Sequence, residues 1–251
     1  MRRVIIALAV ALTGACATDS KAEMPASCRV VEHQLDRETG LPRVAKAIAN
    51  KKLDILVIGA GSSSLPGSGA SKAYPARLEA TLAEQLPGVA VKVATDIKPG
   101  RSAPDAIKPL VSNLASIKPT LTIWQAGTVD AMRSIEVDAF SGALDQGIEA
   151  SRKAGSDVIL VNAQYSPRTE SIIALGAYSD NMRWTALRQE VPLFDRFGLM
   201  KSWAELGTFD FTATTKKLEI AEQVHDCIGR LLADLIVNGA KISDLPANGG
   251  R

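Results

Sequence analysis

Histidine is nearly missing from this chain. His33 and His225 are the only two in 251 residues, and the only cysteines are Cys16, Cys28 and Cys227. A zinc centre draws its ligands mainly from those two residue types. The shortage leaves almost no material for one, and it confines any His-dependent chemistry to one of two rings. A surplus of one charge is missing too. With 29 basic and 27 acidic residues the net charge is only +2, whereas grip on a phosphate backbone needs a basic excess or stripe. Nucleic acid is therefore not an expected partner. No apolar run approaches the ~20 residues that span a bilayer. What the chain does have is apolar residues at 46% against 22% charged. That suits a packed core, and the length suits one α/β domain or at most two small ones.

The N-terminus reads as an address. Arg2 and Arg3 precede the apolar run Val4 to Leu12, and small residues follow through Ala15-Cys16-Ala17. Charged, apolar, then small is the order of a secretory signal peptide. Residues 1–17 are read as that signal, with cleavage after Ala17. Thr13-Gly14-Ala15-Cys16 also approximates a lipobox, which would put a lipid on Cys16, although Leu12 stands one place too far upstream. Without a lipid there, no membrane association is expected. Loss of Arg2 and Arg3 takes the net charge from +2 to neutral. Export to the periplasm or beyond implies an oxidising compartment, where Cys28 and Cys227 remain. A disulfide between them would tie the two ends of the chain together; two separate buried thiols are the alternative.

Residues 18–40 are polar and irregular. A short helix is expected from Pro42 to Asn50, and from there strand and helix signals alternate through a single domain over 41–240, with 241–251 as a tail. Leu53 to Ile58, Val89 to Ala94, Leu121 to Trp124, Val158 to Val161 and Val191 to Phe194 are short apolar runs rich in β-branched residues, which predict buried strands. Between them, helical spacing marks Ala73 to Leu86, Ala103 to Ile117, Val137 to Ala154 and Asp180 to Glu190. Helices over Leu199 to Leu206 and Lys216 to Val237 close the chain. Asn162 to Tyr178 reads as a long loop. Such alternation predicts a three-layer α/β/α sandwich around a mostly parallel five-stranded sheet, flavodoxin-like in class. Ligands of such sheets bind at the carboxyl ends of the strands. That singles out the loops Gly61–Ser71, Asp96–Ser102 and Gln125–Asp130.

The first of these loops opens Gly59-Ala60-Gly61-Ser62-Ser63-Ser64 and continues to Gly67 and Gly69. It has no lysine placed to cradle a phosphate, and no acidic residue follows where a dinucleotide fingerprint needs one. The remaining chemistry for such a turn is a nucleophilic serine backed by small residues; a plain serine-rich turn is the alternative. Gly61-Ser62-Ser63 followed by Gly67 resembles the first block of the SGNH/GDSL hydrolases, with Ser62 in place of the aspartate. The longer run, with Tyr74-Pro75-Ala76-Arg77-Leu78 after it, resembles a secreted proteobacterial branch whose first block reads Gly-Ser-Ser-Ser. A rival register, counted from Gly59, puts Gly61 at the nucleophile's place.

The resemblance continues along the chain. Gly100 matches the glycine whose N–H helps hold an oxyanion. Gln125-Ala126-Gly127-Thr128-Val129-Asp130 matches the third block, except that Val129 replaces the asparagine whose amide is the second oxyanion donor. Losing one such donor typically costs ~100- to 1,000-fold in rate. For the closing Asp-x-x-His, spacing offers Glu222-Gln223-Val224-His225. Alignment on the final helix instead puts Leu218-Glu219 where Leu-His is expected, and Lys216 at the acid.

What the resemblance implies is an exported serine esterase acting on a small acyl ester, such as an O-acetyl group on a cell-envelope carbohydrate. Ser63 would attack, His225 would take its proton, and Glu222 or Asp226 would orient the ring. Gly100 and the Ser63 N–H would hold the oxyanion. Ser62, Gln125, Gly127, Asp130 and Tyr165 are candidates to line the pocket, with Arg168 beside Tyr165. No metal and no organic cofactor is implied. The replaced Asp and Asn, and the irregular His block, leave a second reading open: a catalytically degraded relative that binds a glycan or a protein in the same cleft.

Overall fold

The computed structural model describes residues 24–30, 38–65, 67 and 69–244. The proposed signal segment, Cys16 and His33 lie outside the described residues. Five strands form one sheet: β1 (Lys52–Gly59), β2 (Ala90–Ile97), β3 (Leu121–Gln125), β4 (Asp157–Val161) and β5 (Leu193–Phe194), in the order β2-β1-β3-β4-β5. Every pairing is parallel, so the expected "mostly parallel" sheet is wholly so. Strands β3 and β4 are buried along their full length. This is why they read as continuous apolar runs rather than alternating ones. Edge strand β2 is partly exposed throughout, and its sequence mixes Lys, Thr and Asp with Val and Ala.

The helices α1 (Pro42–Ala49), α2 (Tyr74–Gln85), α3 (Ala103–Ile117), α4 (Thr128–Met132), α5 (Val137–Lys153), α6 (Pro167–Glu170), α7 (Leu175–Arg188), α8 (Arg196–Glu205) and α9 (Lys217–Asp244) complete the described structure. Local rules account for several boundaries. Ser102 caps α3 reciprocally with Asp105, and Pro104 sits in the first turn, where a missing N–H costs nothing. Asp195 caps α8 through Gly198 N–H at 2.9 Å. Three differences from the sequence reading stand out. α7 starts five residues earlier than expected, and the stretch read as a long loop holds α6. α9 runs on to Asp244, past the expected end at Val237, and buried Ala240 continues the face of Leu231, Leu232, Leu235 and Ile236.

Cys28 and Cys227 are joined by a disulfide across 199 residues. It pins the Ala26–Cys28 turn to α9. A second tie lies nearby: Leu41 N–H donates to Gly239 O at 2.9 Å. Both hold the leading segment against the helix that also carries His225. Among the described residues, no helix is long and apolar enough to cross a membrane.

Candidate active site

The strand order reverses between β1 and β3, and the crevice beyond their carboxyl ends is where parallel sheets hold ligands. The chain leaves β1 at Gly59 and turns through a 3-10 helix, Gly61–Ser63. Gly59 is needed there: a Cβ on it would stand 2.9 Å from Ser63 Oγ and 3.0 Å from Gln125 Oε1. The missing side chain lets both polar groups pack against the strand end. Ser63 is fully buried. Its hydroxyl donates to Gln125 Oε1 and accepts from the Tyr74 hydroxyl, each at 3.1 Å. Gln125 Oε1 also accepts from Ala60 N–H at 3.1 Å, while its Nε2 is buried without a partner. Burial raises the Tyr74 phenol above its ordinary pKa, and the Ser63 bond only partly offsets this. The phenol therefore stays protonated and donates.

His225 reaches the same region from α9, and Tyr74 connects the two. The Tyr74 backbone N–H donates to His225 Nδ1 at 3.0 Å. A ring nitrogen that accepts such a bond carries no hydrogen, so the neutral ring holds its proton on Nε2. Burial, and then the charge of nearby Arg196, push the His225 pKa down from 6.5 to about 3. The acidic partners considered for it are engaged elsewhere. Glu222 meets Lys72 Nζ at 2.7 Å, and Asp226 meets Arg230 Nε at 2.8 Å. Among the described hydrogen bonds, then, the Ser63–His225–Glu222 relay is replaced by one through Tyr74: its hydroxyl on Ser63, its backbone on His225.

A cavity of about 430 Å³ opens beside this network. Ser62, Ser64 and His225 line it together with Arg196, Gln164 and Phe211. Ser62 Oγ is buried and has no hydrogen-bond partner, whereas Ser64 Oγ donates to Gly61 O. Of the residues expected to line the pocket, Ser62 does so. Gln125 lies behind it, on Ser63. Gly127 and Asp130 instead form a joint between helices. Gly127 takes a φ of +98°, open to glycine, and its N–H donates to Asp130 Oδ2 at 2.9 Å. Asp130 Oδ1 accepts from Ala103 N–H at 2.7 Å, so one carboxylate caps α3 and α4 together. Its burial raises its pKa, against those backbone bonds. Tyr165 packs edge-on against Phe197 and Phe211 in an aromatic cluster. Arg168 reaches the pocket wall. Gly100, at φ +75°, lies on an exposed loop whose Pro99 rests against Gly61.

Tyr74, which stood in the sequence only within the run that carries the resemblance, and Gln164 and Arg196 join the site without having been site candidates, since none stands at a spacing that chemistry requires. A larger depression of about 1020 Å³ lies near the start of β4, away from this network. Of the charges that line it, Arg43 pairs with Asp157 at 3.1 Å, and Arg183 pairs at 2.8 Å with Asp195, which lies outside the lining. Among the described residues, no three His, Cys, Asp or Glu side chains are grouped to hold a metal ion.

Comparison with known proteins agrees with this architecture. The profile of the non-GDSL lipase-like family matches residues 27–242. Among curated proteins, none matches this chain. Several solved structures share the fold. A lipase/acylhydrolase from Enterococcus faecalis is 19% identical, with a TM-score of 0.60 over 72% of this chain and 94% of its own. The protein TesA is 22% identical, with a TM-score of 0.57 over 72% of this chain and 98% of its own. A two-domain esterase active on acetylated mannans is 13% identical, with a TM-score of 0.65 over 87% of this chain and 59% of its own.

Proposed function

Because the chain belongs to the non-GDSL lipase-like family, we propose that it is an exported esterase that hydrolyses a small acyl ester, the O-acetyl group of an envelope carbohydrate being the substrate class it serves. The observation that carries this reading is the cavity at the carboxyl ends of the strands, lined by Ser62, Ser64 and the neutral ring of His225, with Ser63 buried between the two serines. Its volume suits a small acylated unit. The activity on acetylated mannans of one structural neighbour supports the same class. The Cys28–Cys227 disulfide supports an oxidising compartment.

The nucleophile comes from the serine turn. Ser63 takes that role once the substrate frees its hydroxyl from Gln125 and Tyr74. Ser62 already lines the cavity with an unpartnered hydroxyl. With its proton on Nε2, His225 donates a hydrogen bond to the carbonyl oxygen. It accepts the serine proton only when the ring turns away from the Tyr74 N–H. Gly100, on the loop against Gly61, is the backbone donor for the oxyanion.

One observation favours a second reading, in which the cavity binds the ester without cleaving it: Nδ1 of His225 is already occupied by a backbone N–H. Turnover of p-nitrophenyl acetate and labelling by a fluorophosphonate, with the labelled peptide mapped, separate the two. The esterase reading expects the label on Ser62 or Ser63, and turnover abolished by alanine at that same serine. No label, with turnover unchanged in both Ser62→Ala and Ser63→Ala, overturns it.

A further inference from the structure

Arg196 is fully buried, yet its guanidinium is hardly satisfied. Of its five N–H donors, one bond is described, from Nη2 to Gln164 Oε1 at 3.2 Å; Nε and Nη1 are buried without a partner. No described carboxylate lies within ion-pair distance of it. Its chain neighbour Asp195 is committed to Arg183, Asn162 and the α8 cap. An uncompensated buried cation is costly, and proteins retain such groups where an anion completes them. The cost shows in its pKa, which burial lowers to about 10.

Arg196 also forms part of the cavity wall beside Ser62 and His225. Exposed Arg168 and Lys217 stand on the same cavity. Among the described residues, the only acid lining it, Asp210, gives its carboxylate to the N–H and hydroxyl of Thr212. The cavity is therefore positive at its wall and at its rim, in a chain that is close to neutral overall.

We infer that the cavity takes a ligand bearing a carboxylate, seated on the free guanidinium donors of Arg196, so that the ester served is an acidic one. This rests on the proposed function for the chemistry, but not for the binding. A planar carboxylate satisfies two guanidinium donors at once and neutralises one charge, which is the deficit at Arg196. Arg168 and Lys217 draw the anion in, an effect that salt weakens.

Binding is tested first, on the chain lacking residues 1–17. Succinate and succinamide are compared by calorimetry at fixed ionic strength, with inorganic phosphate as the competing anion. The inference expects succinate to bind at least about tenfold more tightly than succinamide, and Arg196→Gln to erase the difference. Equal binding of succinate and succinamide overturns it, as does phosphate binding as tightly as succinate. Should Arg196→Gln fail to fold, the comparison of ligands on the unaltered chain still decides.

Kinetics then places the charge. Mono-p-nitrophenyl succinate is set against p-nitrophenyl butyrate for a carboxylate on the acyl side. 4-Acetoxybenzoate is set against phenyl acetate for one on the alcohol side. Each rate is divided by its hydroxide-catalysed rate. A preference of about tenfold or more in kcat/KM for either acidic ester, lost in Arg196→Gln, supports the inference. Turnover with no such preference and no succinate binding overturns it while sparing the esterase reading. Succinate binding with no turnover of any ester does the reverse.

Discussion

The backbone N–H of Tyr74, in the first turn of α2, donates to Nδ1 of His225, in the first third of α9, at 3.0 Å. That one bond sets the tautomer of the ring and joins the two helices that flank the serine turn. In a ring poised as a base toward serine, Nδ1 carries a hydrogen held by an acid and Nε2 keeps its lone pair. Here the polarity is reversed. Nitrogen NMR of the imidazole is expected to show a protonated Nε2 and a bare Nδ1, unchanged from pH 8 to pH 5.

The same burial makes stability depend on pH. The folded His225 pKa is pushed down to about 3, while an unfolded histidine titrates near 6.5. Between those values the unfolded chain binds the extra proton and the folded chain does not. Stability contributed by this group is intact above about pH 6.5 and declines as pH falls, by up to about 1.4 kcal/mol per pH unit. Urea unfolding at pH 7 and pH 5 checks this. His225→Asn keeps an acceptor for the Tyr74 N–H and removes the titration, so it should lose less stability than the unaltered chain. An equal loss in both would contradict the neutral, buried ring.

Tyr74→Phe removes the hydroxyl that Ser63 Oγ accepts from, in a fully enclosed setting. Ser63 still donates to Gln125, so the group is not orphaned. The expected cost is about 1 kcal/mol, the usual net worth of one buried hydrogen bond. Denaturant unfolding measures it, and a change within error would mean that the phenol does not hold the serine.

Asp130→Ala strands two N–H groups at once, those of Ala103 and Gly127. The expected loss is about 2–4 kcal/mol, and the start of α3 should exchange its amide hydrogens faster. Asp130→Asn should be milder, since one amide oxygen still accepts and the neutral group suffers less from burial. If the alanine and asparagine variants match, the double cap does not contribute as described.

Replacing Cys28 and Cys227 together by alanine releases the leading segment from α9. A crosslink over so long a stretch of chain is worth about 2–5 kcal/mol. The urea midpoint should fall accordingly. The mass of the unreduced chain should show no free thiol at either position, and two free thiols would contradict the bridge.

Particular residues explain what could be read in advance. Ile55 to Ile58 and Val158 to Val161 are apolar on both sides because helices cover both faces of the sheet, so their strands were legible without any partner in view. Helix α3 was legible from the helical spacing over Ala103 to Ile117, and its cap of Ser102, Pro104 and Asp105 is local as well. Short α4 and α6 were not legible, since five and four residues are too few to show a period. Asp130 matched a motif by spacing, but the motif could not say that both its oxygens cap helices. Tyr165 stood in the right loop, and only packing decided that it faces Phe197 and Phe211.

By itself the sequence determined the alternating strands and helices, the parallel sheet and the turn of serines after β1, because these follow from periodicity and from residues close in the chain. It also confined any imidazole chemistry to the rings of His33 and His225. Only the tertiary structure decided which way the His225 ring faces, that Tyr74 stands between it and Ser63, and that Arg196 is enclosed without an acid. Those outcomes depend on burial and on contacts between residues up to 151 positions apart, where a pKa or a hydrogen-bond partner is set by what packs nearby and not by what precedes it in the chain.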